Sequence, residues 1–252
     1  MSGPMARGLR RRLAAMSSNG LRATRRRVDG LSLIEVMVVV AILGALVAVA
    51  GPQLQRMLAN QRVKSAARSL ADAFLLARAE AIRTGRAHIV FLSANGATDP
   101  AGKPLNQSTA GKAPGNAMWP AIVLDDGPPG SWDCKIGATD PARGIPPEAG
   151  VSWGVTHAGT QRAPGDDDPL ASSIPIGSGT TFHYRGNPVT WVLFRGDGIP
   201  VTFDNACTLG AVGQGGGALY LTNGFRDYAV VLSPLGAVRV HAFDPGANAW
   251  TR

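Results

Sequence analysis

The chain has 252 residues and a mass of 26.1 kDa, enough for one sizeable domain or two small ones. Its 32 glycines and 18 prolines are about a fifth of the residues, which excludes a coiled coil or a helical bundle throughout. The formal charge of +8 invites a nucleic-acid partner, but residues 1–30 hold eight arginines against one acid, Asp29, a net of +7. The rest of the chain carries +1, so the global charge is no argument for such a partner.

After that basic segment, Leu31–Gly51 reads LSLIEVMVVVAILGALVAVAG, with Glu35 its one ionisable residue. As a helix these 21 residues span about 30 Å, the thickness of a bilayer's hydrocarbon core. The run is too long for the apolar part of a secretory signal peptide. The arginine-rich flank predicts a cytoplasmic N-terminus, with everything after about residue 52 outside the inner membrane. A carboxylate in hydrocarbon costs several kcal/mol unless paired, so Glu35 marks a functional position. The bland alternative is a single-pass anchor with a stray acid near the membrane surface.

Apolar residues continue at helical spacing through Val63, Ala66, Ala67, Leu70, Ala73, Phe74, Ala77 and Ala81. Their neighbours Arg62, Lys64, Arg68, Asp72, Arg78 and Glu80 are polar, so the spacing predicts one helix, amphipathic in its second half. Pro52 bends it without ending it, and Thr84-Gly85 stops it. The one-sided half needs a sheet to cover. Strands are expected at Ala87–Leu92, Ala121–Leu124, Val151–Val155, Thr180–Tyr184, Val189–Arg195, Ala218–Thr222, Arg226–Leu232 and Ala237–Ala242. Asn223-Gly224 and Asp197-Gly198 are the tight turns among them. Between about residues 93 and 179, turn-rich stretches such as Asp125–Gly130 and Gly165–Pro169 argue for long surface loops and no second core. The expected fold is α+β: a long N-terminal helix, transmembrane in its first half, packed on an antiparallel sheet.

Neither H-E-x-x-H nor G-x-x-x-x-G-K-[ST] occurs. His88, His157, His183 and His241 are scattered without ligand spacing and read as satisfied strand histidines. Cys134 and Cys207 lie too far apart for a local redox pair. Outside the membrane they are candidates for one disulfide, with two buried thiols as the alternative. Asp166-Asp167-Asp168 offers oxygen ligands for Ca²⁺, but three consecutive aspartates usually make a solvated loop, so neither metal nor cofactor is expected.

The segment Gly30-Leu31-Ser32-Leu33-Ile34-Glu35-Val36-Met37 resembles the processing motif of type IV prepilins and pseudopilins. The resemblance implies cleavage after Gly30, N-methylation of the new N-terminal Leu31, and Glu35 as the fifth residue of the mature chain. Pro52 then falls at the mature position where the family often carries a helix-kinking proline. Leu31 departs from the phenylalanine commonest there, and a leader of thirty residues is long for the family. Cleavage creates an α-amine too close to Glu35 along one helix to bond it well, whereas a neighbouring subunit's amine could reach it. The implied division is a leader at 1–30, a span at 31–51, an amphipathic stem at 52–86, and a periplasmic β-rich head at 87–252.

ARAEAIRTGRAHIVF (Ala77–Phe91), FRGDGIPV (Phe194–Val201) and YAVVLSPLGAVRV (Tyr228–Val240) resemble segments of the GspH/FimT group of minor pseudopilins. That resemblance implies a non-enzymatic subunit of the type II secretion pseudopilus, or alternatively a type IV pilus minor pilin acting in pilus assembly, adhesion or DNA uptake. A solitary anchored binding domain is the third reading. The implied partners are a prepilin peptidase/N-methyltransferase, other major and minor pseudopilins, the inner-membrane assembly platform and membrane lipid. Nucleic acid is not among them. DNA-binding FimT-type pilins carry G-R-x-R where this chain has Gly236-Ala237-Val238-Arg239, leaving Arg239 alone as a candidate DNA contact. Beyond Arg86 the head has 10 bases against 13 acids, and phosphate binding needs clustered cations.

Overall fold

Helix α1 runs Leu33–Thr84 without interruption, with Pro52 inside it. The structure, a computed structural model, describes residues 32–92, 98–102, 121–128, 131–136, 140–145 and 148–251. The chain divides into two compact units, Met1–Val49 and Ala50–Arg252. In the first, Leu33, Ile34, Met37, Val40, Leu43 and Val47 are all exposed, as an apolar helix made to face lipid would leave them. In the second, Val63, Ala67, Leu70, Phe74, Ala77 and Ala81 are buried at alternating steps of three and four. The small alanines among them let the backbone come close to the strands beneath. The helix stops where expected. The Thr84 hydroxyl donates to the Glu80 carbonyl, and Gly85 turns left-handed at φ +67° while its N–H bonds the Ala81 carbonyl at 2.9 Å.

Among the described residues twelve strands follow: β1 (Ala87–Leu92), β2 (Ala121–Gly127), β3 (Ala142–Ile145), β4 (Ser152–Trp153), β5 (His183–Tyr184), β6 (Asn187–Pro188), β7 (Trp191–Phe194), β8 (Pro200–Val201), β9 (Gly217–Thr222), β10 (Asp227–Leu232), β11 (Val238–Asp244) and β12 (Ala249–Thr251). They make two five-stranded antiparallel sheets, in the orders β3-β2-β1-β7-β8 and β12-β11-β10-β9-β4, and a small β5-β6 ribbon. The single sheet expected from sequence is therefore two. Phe74 of α1 lies between Phe182 and Phe194, with ring centroids 5.8 and 6.4 Å away, and so joins helix to strands.

Period-two alternation explains a second departure. In β9 and β10, Leu219, Leu221, Val230 and Leu232 join the main core, whereas Ala218, Tyr220, Ala229 and Val231 point to the other face. That face is apolar too and must be covered. Ala163 and Ile176 cover it, so part of the turn-rich region closes a small second core where only surface loops were expected.

Several strands differ in extent from the sequence reading. Val151–Val155 shrinks to Ser152–Trp153 because Gly154 leaves the extended region at φ +102°. Thr180–Tyr184 shrinks to His183–Tyr184, although Thr180 still bridges Leu219. β2 runs past Leu124 through Asp125 and Asp126, which had read as turn residues. β3, β6, β8 and β12 were not expected. Both predicted turns are present: Asn223-Gly224 joins β9 to β10, and Asp197-Gly198 joins β7 to β8.

Candidate functional site

Gly30 and Leu31 lie outside the described residues. Glu35 does not: it occupies the first turn of α1, where its charge suits the positive end of the helix. Its N–H and that of Val36 bond the Ser32 carbonyl at 3.0 and 3.2 Å, so the helix is wound from its outset. Among the described residues the Glu35 carboxylate has no hydrogen-bond or ion-pair partner, and it stands exposed on an apolar cylinder. Pro52 sits exposed in the same helix; lacking an N–H, it cannot close the bond to the carbonyl four residues before it.

Cys134 and Cys207 form a disulfide, with Cα atoms 5.6 Å apart across 73 residues of sequence. It ties the segment after β2 to the loop after β8. Arg239 is exposed on β11, where it is in register with Val231.

Of the three aspartates of the 165–169 turn, Asp167 is exposed and Asp168 half-buried, so only Asp166 departs fully from the solvated loop expected from sequence. Asp166 is buried, accepting from Tyr220 Oη and Thr181 Oγ1, each at 2.6 Å, and from Arg162 Nη1 at 3.2 Å. Arg162 in turn donates to the Ile174 carbonyl at 2.7 Å. Burial, reinforced by the Asp166 charge, pushes the Tyr220 hydroxyl well above its ordinary range, so it stays a donor. Asp168 accepts from the Leu170 N–H and so caps a short 3₁₀ turn. Asp166 and Asp168 thus hold this loop.

The histidines also depart from expectation in part. His88 Nδ1 lies 3.3 Å from the Arg86 carbonyl and His157 Nδ1 is 3.9 Å from Asp227, but His183 is wholly buried and neither ring nitrogen is hydrogen-bonded among the described residues. Its nearest carboxylate is that of Asp168, at 3.6 Å from Nε2.

The buried carboxylates Asp99, Asp126 and Asp227 went unseen in the sequence. Asp227, fully buried, accepts from the N–H groups of Thr156, His157 and Ala158 and pins the loop after β4. Asp126 accepts from the Cys134 N–H at 3.0 Å, and oxygens of Asp126, Asp133 and Asp140 all lie within 4.8 Å of one another. This trio is the one group among the described residues with cation-ligand chemistry, but such acidic clusters are common without an ion.

Burial pushes the Asp126 carboxyl up to about 7; the Cys134 N–H opposes the rise, and the charges of Asp133 and Asp140 add to it. A raised carboxyl binds its proton more tightly folded than unfolded. Its contribution to stability is complete below the ordinary value of 3.8 and is lost as pH rises through about 7. Asp126→Asn keeps an acceptor for Cys134 and cannot ionise. Its melting temperature is expected to fall less than that of wild type between about pH 5 and about pH 8. Equal falls in the two proteins would show that Asp126 does not carry this dependence.

Residues 25–51 match the prokaryotic N-terminal methylation motif, the type IV prepilin-like signal. Among curated proteins and among solved structures nothing matches the chain. The match supports a pilin-like protein, and one long apolar N-terminal helix followed by antiparallel sheets is consistent with the α+β type IV pilin-like fold. The motif suggests a structural, non-enzymatic protein, implies processing by a prepilin peptidase and assembly with other pilins, and with the apolar helix fits anchoring in the inner membrane.

Proposed function

We propose that the chain is a minor pseudopilin of a type II secretion system, of the GspH/FimT group. It joins a short periplasmic filament that helps push folded proteins through an outer-membrane channel. The observation that carries this reading is Glu35: a carboxylate with no partner among the described residues, at the start of an exposed apolar helix and within a methylation motif. Cleavage after Gly30 frees an α-amine on Leu31, which is then methylated. The Leu31 amine of a neighbouring subunit neutralises Glu35 and sets the axial register between helices. In this division residues 1–30 are the removed leader, 31–51 the span, 52–86 the stem and 87–252 the periplasmic head. The secretion reading is preferred to DNA uptake because the head carries more acids than bases and a lone Arg239 where paired arginines would be needed.

Glu35→Val tests the reading. Removing an intramembrane charge should favour insertion, by on the order of 1 kcal/mol near the end of a span, and leave the head unchanged. In a strain with no other copy, the variant is expected in the membrane at wild-type level, with secretion of folded proteins reduced to background. Normal secretion with loss of pili would transfer the assignment to a type IV pilus. Normal secretion and normal piliation would remove the pairing role altogether.

A further inference from the structure

Within the second unit, two segments meet at the residues closest in sequence to the apolar run. The turn Asn223–Arg226 between β9 and β10 reaches α1, where Asn223 Nδ2 donates to Asn60 Oδ1 at 3.0 Å. The Arg56 guanidinium lies 5.6 Å from the centre of the Phe225 ring. The turn is rigid: Asn223 Oδ1 accepts from the N–H groups of Phe225 and Arg226, and Gly224 supplies the φ of +80°. Phe225 is nevertheless 48% exposed, and at the same level of α1, on faces away from Arg56, Leu54 is 58%, Met57 60% and Leu58 49% exposed.

Arg56 and Arg226 are exposed at this level, and Arg62, Lys64 and Arg68 are exposed about 9, 12 and 18 Å further along α1. From Ala50 to Ala71 there is no acid. The carboxylates nearby are Asp72, Glu148, whose Oε1 accepts from Ser65, and Asp227, which is buried and occupied by backbone N–H groups. A collar of exposed apolar groups with cations at and beyond it suits an anionic lipid surface.

Chain reach supplies the second argument. Arg56 is five residues beyond Gly51, so along a helix it lies about 7.5 Å from the end of the apolar run. The headgroup zone outside the hydrocarbon core is about 5–8 Å deep on each side. Arg56 therefore cannot leave that zone by much, whatever the angle between the two units, and Phe225 is held against Arg56. The charge is also on the unusual side: basic residues normally flank a span in the cytoplasm, and here they remain outside after the arginine-rich leader is removed.

We propose that the Asn223–Arg226 turn, with Leu54, Arg56, Met57 and Leu58, rests on anionic phospholipid at the outer face of the inner membrane. The inference depends on the anchored reading of residues 31–51, and it makes the hairpin a foot that each subunit lifts from the bilayer on entering a filament.

The test uses the mature chain, residues 31–252, alone in vesicles of about three parts phosphatidylcholine to one part phosphatidylglycerol. A photoreactive benzoylphenylalanine replaces Leu43, Phe225 or Leu235 in turn. Leu235, 70% exposed, adjoins Gly236, whose carbonyl accepts from Arg78, about 33 Å further along α1 than Arg56. Lipid adducts are expected at positions 43 and 225 and not at 235. Arg56→Glu with Arg226→Glu should lower the yield at 225 by at least about threefold and leave position 43 unchanged. Lipid at 43 with none at 225, an adduct at 225 to a second copy of the chain, or a yield indifferent to the two glutamates would each overturn the proposal alone. No lipid adduct at 43 would overturn the anchored reading and this inference with it.

Discussion

Replacing Cys134 and Cys207 together with alanine is expected to destabilise the head by about 4 kcal/mol. The bond closes a loop across 73 residues, and cross-linking a loop of that length removes much of the unfolded chain's freedom. Other bonds share in holding the joined segments: Asp126 accepts from the Cys134 N–H, Asp99 from the Ile136 N–H, and Trp191 Nε1 donates to the Phe203 carbonyl. Cys134 is fully buried, so alanine there also leaves a small void. Denaturant unfolding of wild type and double variant in the same detergent measures the difference. A loss below about 1 kcal/mol would mean that the head is held without the bond. The bond also bears on location, since disulfides persist in the periplasm and are rare in the cytoplasm, which supports an extracytoplasmic head.

Asp227→Ala is expected to cost about 3–5 kcal/mol, because it leaves three backbone donors of the loop after β4 without an acceptor in a buried site. The loss should be local before it is global. Residues 156–158 start the loop that covers the outer face of β9 and β10, and freeing them exposes Ala218, Tyr220, Ala229 and Val231. Asp227→Asn keeps one acceptor oxygen and should fall between the two. Amide hydrogen exchange separates this mechanism from a general loosening: Thr156, His157 and Ala158 should lose protection at least about tenfold more than Ile89–Phe91 in β1. Uniform loss across both segments would contradict the pinning role.

What the sequence made legible were the features set by neighbours in the chain. The helix end at Thr84-Gly85, all six residues of β1 and the Asn223-Gly224 turn each rest on a local pattern: a left-handed glycine, an unbroken apolar run, a hairpin dipeptide. Glu35 stood out for the same reason, as one acid in an apolar run. Features set by distant segments were illegible. Asp227 looks like any polar strand residue until residues some 70 positions earlier bring their N–H groups to it. Asp166 reads as a turn residue until Tyr220 and Thr181 arrive from other elements. The division into two sheets is of the same kind, since alternation reveals a strand but not its partner. β3, with the sequence ARGI, has almost no pattern of its own and exists by pairing with β2.

The central claim is that a peptidase removes the basic leader and that the new N-terminus meets Glu35 of a neighbour. Intact-mass measurement of the protein extracted from membranes tests its first half most directly. The account predicts the mass of residues 31–252 plus one methyl group, and a full-length mass for Gly30→Glu, whose charged side chain blocks cleavage. A wild-type chain that keeps its leader in a host with an active prepilin peptidase would contradict it.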